Sequence, residues 1–407
     1  MKRVVVTGIS GVTALGNTAD DIFTNMLARK TATRFIPEFA EIDGLNTKLG
    51  CPVENFQEPD YPRKKTRGMG RVAKFATVAT ENALEQAGLL DEKELLSSGS
   101  VGVAYGSCSG SPAPLGELSS IMTEKCVKNI NATTYIKGMS HTCAVNIALF
   151  FGLTGRLIPT SSACTSSSQA VGYAYEAIKY GMQDVMIAGG AEELCPSQVA
   201  IFDTLFATSQ MNDNPELAPR PFDRDRDGLV IGEGAVTLVL ESLEHAQNRG
   251  ANIIAEIVGF GTNCDAVHVT QPTAEKMKNS LELALKDANI TADKIGYVNA
   301  HGTATDRGDI AESNATAMVF DKTIPVSSLK GYFGHTLGAC GALESWLSIE
   351  MMNRGLLIPN ANLNNIDENC AKLGYLKEYK EIKTDYVMSN NFAFGGVNTS
   401  LIFKKYN

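Results

Sequence analysis

The stretch Ile158-Pro-Thr-Ser-Ser-Ala-Cys164 runs into a helical pattern at Ser168–Tyr180, and it has an echo in Ile324-Pro-Val-Ser-Ser-Leu-Lys330, which runs through Gly334-His335 into a second helix. Each reads as a short strand closing on small hydroxyl residues in a tight turn. A second pair repeats in the same way. Glu81-Asn-Ala-Leu-Glu-Gln-Ala87, a loop, then Ser100-Val-Gly-Val-Ala-Tyr-Gly106 parallels Leu283-Ala-Leu-Lys-Asp-Ala288, a loop, then Ile295-Gly-Tyr-Val-Asn-Ala-His-Gly302. Both read as an amphipathic helix feeding a strand that ends at a glycine turn. Two echoes imply a duplicated α/β core in which equivalent turns lie at equivalent strand ends. The halves meet near Asn248-Arg-Gly250, giving units 1–250 and 251–407. Strand-like runs at Arg3–Val6, Val101–Tyr105, Asp184–Ala188, Val236–Leu240 and Ile253–Val258 alternate with helical ones at Ala73–Gln86 and Met277–Ala288, the order of a layered α/β fold.

The 407 residues carry 36 basic and 45 acidic groups, a formal net of -9, which disfavours a nucleic-acid binder because phosphate neutralisation needs an excess of Lys and Arg. Nine cysteines, with no C-x-x-C pair, suggest neither a disulfide framework nor a zinc knuckle, and fit a reducing, cytoplasmic compartment. Val4–Val6 is too short for a signal-peptide core, and Ala144–Leu153 is too short to span a bilayer. Asp223-Arg-Asp225-Arg-Asp227-Gly228 opens like a calcium loop, but the required Glu at 234 is Gly234, so it reads as an ion-paired loop and no metal is expected. No Walker glycine loop or Gly-x-Gly-x-x-Gly is present, so no nucleotide cofactor is expected either.

Cys164 falls where a strand stops and a helix begins, so the helix dipole is expected to lower its pKa, while Ala163, Ser166 and Ser167 leave room for a thioester. His301 and His335 fall at glycine-flanked strand ends, where a side chain points into a cleft. A Cys nucleophile can hold an acyl group, and two imidazoles donating to one carbonyl oxygen would stabilise an enolate formed by decarboxylation. A Cys-His protease needs only one His and an orienting Asn or Asp, and this logic alone does not separate the two. Arg63, Lys64, Lys65, Arg67, Arg71 and Lys74 form a basic run with no acid among them, which is either a solvated face or a patch for an acidic partner.

Taken together, Ser162-Ala-Cys-Thr165, Asn299-Ala-His-Gly-Thr-Ala-Thr305, Lys330 with Gly334-His335-Thr-Leu-Gly-Ala-Cys-Gly341, and Asn390-Asn-Phe-Ala-Phe-Gly-Gly-Val-Asn398 resemble the β-ketoacyl-acyl-carrier-protein synthases, nearest the synthase I/II group and related polyketide ketosynthases. The likeness runs from Val4 to Lys404. It implies a thiolase-like αβαβα sandwich of two duplicated halves, dimeric either with itself or with a chain-length-factor-like ketosynthase. It further implies that Cys164 accepts an acyl chain from an acyl carrier protein, and that His301 and His335 bind a malonyl thioester, promote loss of CO2 and stabilise the enolate. By the same resemblance the amides of Cys164 and Phe394 form an oxyanion hole with Phe394 as gate. Lys330 and Glu344 form a supporting ion pair, Thr303 and Thr305 contact phosphopantetheine, and the run from Arg63 to Lys74 docks the carrier. Departures from the housekeeping pattern occur at Gly331, Tyr332, Phe333 and Ala393, and at Phe206 and Met211, where arginines are often found. They point to a specialised pathway of the aryl-polyene or type II polyketide kind. The competing expectation is a non-catalytic chain-length-factor-like partner, against which the presence of Cys164 argues.

Overall fold

Residues 1–54, 56–128 and 130–407 are described by the structure, a computed structural model. The first half supplies strands β1 (Val4–Thr13), β2 (Val101–Gly106), β3 (Leu157–Thr160), β4 (Val185–Glu192) and β5 (Gly234–Ser242) with helices α1 (Arg71–Gln86), α2 (Thr142–Phe151) and α3 (Ser166–Lys179). The second supplies β6 (Ala255–Cys264), β7 (Tyr297–Asn299), β8 (Pro325–Ser327), β9 (Tyr386–Phe392) and β10 (Val397–Lys404) with α4 (Ala274–Ala288), α5 (Asp306–Val319) and α6 (Cys340–Arg354). β1, β2, β4 and β5 are buried at every position, so their residues are mostly apolar or small instead of alternating, as suits strands covered on both faces, and the two acids among them, Glu192 and Glu241, are buried with hydrogen-bond partners.

The sheet order is β3-β2-β4-β5-β1-β6-β10-β9-β7-β8, with a two-residue edge strand Gly374–Tyr375 beyond β8. Outward from the β1/β6 seam, each half presents its own first, fifth, fourth, second and third strands. The directions repeat as well: antiparallel, antiparallel, parallel, parallel on both sides. Two halves with the same order and the same directions constitute the duplicated thiolase-like fold. The two half-sheets join edge to edge over Val4–Val6 against Ala255–Ile257. α3 and α6 pack on each other and touch strands of both half-sheets, so they form the middle layer, while α1 and α2 cover the first half and α4 and α5 the second. α6 is accordingly buried nearly all round, from Cys340 to Met352.

Several strands are longer than the sequence indicates. β1 continues through Thr7, Gly8 and Ser10 to Thr13, and β6 continues past Val258 to Cys264. Two glycines in these extensions are points of close helix approach: a Cβ on Gly8 would lie 2.2 Å from the Ala83 carbonyl of α1, and one on Gly261 would lie 2.1 Å from the Ser280 carbonyl of α4. Among the described residues no helix is long and apolar enough to cross a membrane.

Candidate active site

Cys164 sits in the turn between β3 and α3, and the small hydroxyl residues around it tie that turn. The Ser162 N–H donates to Ser166 Oγ at 3.0 Å, the Ser166 hydroxyl donates to the Ala163 carbonyl at 2.7 Å, and the Thr165 hydroxyl donates to the Ser162 carbonyl at 2.8 Å. They hold Ala163 at φ 51, a left-handed conformation that a residue with a Cβ adopts only when its surroundings impose it. The thiol is thereby delivered to the N-terminal end of α3, where it is buried.

His301 follows β7, and its turn is clamped by Glu312 of α5. The His301 N–H donates to Oε1 at 2.7 Å and the Gly302 N–H to Oε2 at 2.6 Å. His335 comes from beyond β8, the counterpart of the β3 end that carries Cys164, through Gly334 at φ 66, where a Cβ would also lie 2.7 Å from Cys51 Sγ. The two imidazole rings stand 5.1 Å apart at 86°, and His335 Nε2 lies 2.9 Å from Cys164 Sγ.

The hydrogen bonds fix the tautomers. His335 Nδ1 accepts the Leu337 N–H at 3.2 Å, so its ring proton sits on Nε2 and faces the sulfur. Lys330 Nζ lies 3.1 Å from His301 Nδ1; an ammonium can only donate, so His301 also carries its proton on Nε2. Lys330 is held in turn by its ion pair with Glu344, which also accepts from Asn391 Nδ2 at 2.6 Å. Burial, then the Lys330 charge, hold both imidazoles well below their ordinary pKa, so both are neutral Nε2–H donors at neutral pH.

The expected lowering of the Cys164 pKa is overturned. Burial pushes the thiol up to about 11, against the Lys330 charge and the amides of Phe394 and Cys164, which face the sulfur and favour the thiolate. A helix N-terminus is the weaker influence once the sulfur is shut away from water.

A pocket of about 530 Å³ reaches from Cys164, His301 and His335 to the surface past Thr303, Thr305 and Phe394. The Thr303 and Thr305 hydroxyls are 2.9 Å apart, and the Phe394 ring stands 5.1 Å from that of Phe202. None of the six basic residues from Arg63 to Lys74 lines this pocket. Arg71 pairs with Glu233 at 2.8 Å, Lys74 pairs with Glu58 at 2.7 Å, and Lys65 donates to the Phe150 carbonyl at 2.9 Å. Among the described residues Arg63, Lys64 and Arg67 have no ion pair.

Three site residues escape the sequence reading: Glu312, Asn391, and Cys340, whose thiol donates to the Cys164 carbonyl at 3.1 Å. Cys340 and Asn391 lie inside quoted motifs and Glu312 lies seven residues beyond one, but their partners are set only by the fold. Cys164, His301 and His335 bring ligand atoms within 4.8 Å of one another, as do His301, Cys340 and Glu344. The Lys330 ammonium beside His301 opposes a cation at either place. In the Asp223–Asp227 loop, the carboxylates are spent on the protein: Asp223 accepts from the Asn364 and Asn365 amides at 2.7 and 2.8 Å, Asp225 pairs with Arg224 at 3.2 Å, and Asp227 accepts from the Gln210 amide at 2.8 Å.

A buried thiol, two Nε2–H donors and a pocket open at one end, on a duplicated thiolase-like fold, define an acyl-transferring condensing enzyme. The chain belongs to the β-ketoacyl synthase family: the model of its N-terminal domain matches residues 1–246 and that of its C-terminal domain residues 254–364. It is 36% identical to 3-oxoacyl-[acyl-carrier-protein] synthase 1 of Haemophilus influenzae, with 100% of each chain covered. The crystal structure of a β-ketoacyl synthase from Burkholderia phymatum superposes with a TM-score of 0.99 at 55% identity, covering 100% of both chains. A type II polyketide ketosynthase in complex with its acyl-carrier protein, AntDE:AntF, gives 0.88 at 28% identity, with 100% of each chain covered.

Proposed function

We propose that this chain elongates acyl chains by decarboxylative Claisen condensation with malonyl-acyl-carrier protein. The observation that carries the mechanism is the convergence of the His301 and His335 Nε2–H groups beside the buried Cys164 thiol. Cys164 attacks the thioester of an acyl-carrier protein and keeps the acyl group, releasing the carrier thiol, while the amides of Cys164 and Phe394 hold the carbonyl oxygen. A malonyl thioester then enters past Thr303 and Thr305. The two imidazoles donate to its carbonyl oxygen, the carboxylate leaves as CO2, and the electron pair it leaves forms an enolate. The enolate carbon attacks the acyl carbon, the C–S bond to Cys164 breaks, and the sulfur regains a proton. This reading requires no metal or other cofactor beyond the carrier's phosphopantetheine, and places the enzyme in the cytoplasm.

A second ketosynthase chain fits the open edge of β3, where Leu149, Leu157, Tyr180 and Met182 are exposed. That chain is another copy or a chain-length-factor-like relative. The reaction is tested by intact-protein mass spectrometry with acyl-carrier proteins bearing saturated, polyenoyl and aryl-polyenoyl groups. An acyl adduct on the wild type that is absent from Cys164→Ala is expected. The preferred chain then separates a fatty-acid role from the specialised pathway suggested by Phe333 and Ala393. No adduct from any carrier would instead leave the chain as a non-catalytic partner.

A further inference from the structure

The mouth of the pocket is apolar. Leu205 and Phe206 line it on one side, just past the helix Pro196–Asp203, and Val269 lines it on the other. All three are exposed, Phe206 to 80% and Val269 to 65%. Ile201, one helical turn before Leu205, and Val267, beside Val269, extend the exposed apolar surface outside the pocket. Phe206 is held at φ 53, with its N–H donating to the Asp203 carbonyl at 2.9 Å, so the backbone is fixed with the ring in water. Five exposed large hydrophobics around one opening are an interaction surface, since a solvated loop gains nothing from them.

The charges lining this mouth do not favour an electrostatic contact. Asp227 and Asp306 stand against one exposed arginine, Arg307, while Arg226 is occupied by Asp367 at 2.6 Å. An acidic surface finds no complement there. The occupant is set by the chemistry beneath: Cys164 lies at the bottom of a pocket open at this end, so whatever delivers the thioester rests on this rim.

We propose that Ile201, Leu205, Phe206, Val267 and Val269 form an apolar collar that docks the carrier protein, and that the cognate carrier presents an apolar face around the residue bearing its pantetheine. This rests on the condensing-enzyme reading above. The collar supplies affinity and selects the carrier, and Phe206, an exposed aromatic at the centre of one side, is its anchor. Arg63, Lys64 and Arg67, outside the pocket, then contribute to encounter rate more than to affinity.

The test compares condensation of carrier-bound substrates with that of the same acyl and malonyl groups on free pantetheine. Ile201→Ser with Val267→Ser, and separately Phe206→Ala, are expected to raise KM for the carrier-bound substrate by about tenfold or more. The Ile201/Val267 variant should keep KM and kcat for the pantetheine thioesters within about twofold. Raising salt from about 0.1 to about 1 M, which shortens the screening length to about 3 Å, should change the wild-type carrier KM by less than about threefold. An unchanged carrier KM in these variants overturns the proposal. So does an equal loss with pantetheine substrates, or a carrier KM that rises steeply with salt and follows Arg63→Glu and Lys64→Glu instead. Failure of the underlying reaction reads out separately, as no condensation of pantetheine thioesters by the wild type.

Discussion

Lys330 is the residue on which the site's electrostatics turn. Its ammonium orients His301 through Nδ1, is paired with Glu344, and is the foremost influence holding the Cys164 thiol down against burial. Replacing it by Met leaves Glu344 a buried carboxylate without its cation, a loss of about 3–5 kcal/mol for a fully buried pair. It also removes a positive charge from beside the sulfur. The Cys164 pKa, already about 11, is therefore expected to rise further, so Lys330→Met should slow alkylation of Cys164 by iodoacetamide at any pH below that value. Decarboxylation of malonyl thioester should fall by about a hundredfold, because only the longer 3.4 Å contact from Asn391 Nδ2 then holds His301 as an Nε2–H donor. Alkylation as fast as in the wild type would show that Lys330 acts on His301 alone. The motif around Cys164 identifies a nucleophile in the sequence; its burial is invisible there, because the lid comes from Phe394 and His335, which are remote in the chain.

At the scale of elements, the middle layer sets how closely the two halves approach. α3 carries Gly172 where a Cβ would lie 2.3 Å from the ring of Phe260 on β6, so the first half's nucleophile helix rests directly on the second half's first strand. A glycine inside a helix ordinarily costs about 1 kcal/mol relative to alanine, so on propensity alone a substitution would stabilise. Packing decides otherwise here. Gly172→Val is expected to destabilise by about 2–3 kcal/mol, read as a lower urea midpoint at unchanged slope. A midpoint at or above the wild type's would mean that Phe260 moves aside freely. Alternation of strands and helices, and the two echoes, one around Cys164 and His335 and one ending at Gly106 and Gly302, are legible in the sequence because they are local patterns. The true length of β1 and β6 is not, since the apolar runs Arg3–Val6 and Ile253–Val258 stop short of Gly8 and Gly261, whose place in the strands shows only when the carbonyls of α1 and α4 are seen against them.

For the molecule as a whole, the first half carries a buried ionic network, tying β5 to β1, whose protonation sets the acid limit of stability. Glu241 of β5 is buried, yet its carboxylate accepts from Thr7 of β1 and from His245, both at 2.5 Å, and is paired with Arg249. Burial alone would raise its pKa; the hydrogen bonds from Arg249, His245 and Thr7 outweigh it and bring the group down to about 2. A carboxyl depressed in the folded state stabilises fully above its unfolded value near 4.5, and that contribution is lost as pH falls through 2. The shift corresponds to about 3 kcal/mol. Glu312 has the opposite sign: burial raises it to about 8, so it costs stability increasingly as pH rises from 4.5 towards 8. Neither was readable from sequence, because Glu241 and Glu312 are ordinary acids whose environments come from other elements. Urea unfolding of the wild type and of Glu241→Gln should therefore differ by about 3 kcal/mol at neutral pH and converge as pH falls below 4.5 towards 2. The converging difference carries the argument: a gap of constant size across that window would mean that Glu241 supports the β1/β5 packing by its shape and hydrogen bonds, and that the acid limit is set by other groups.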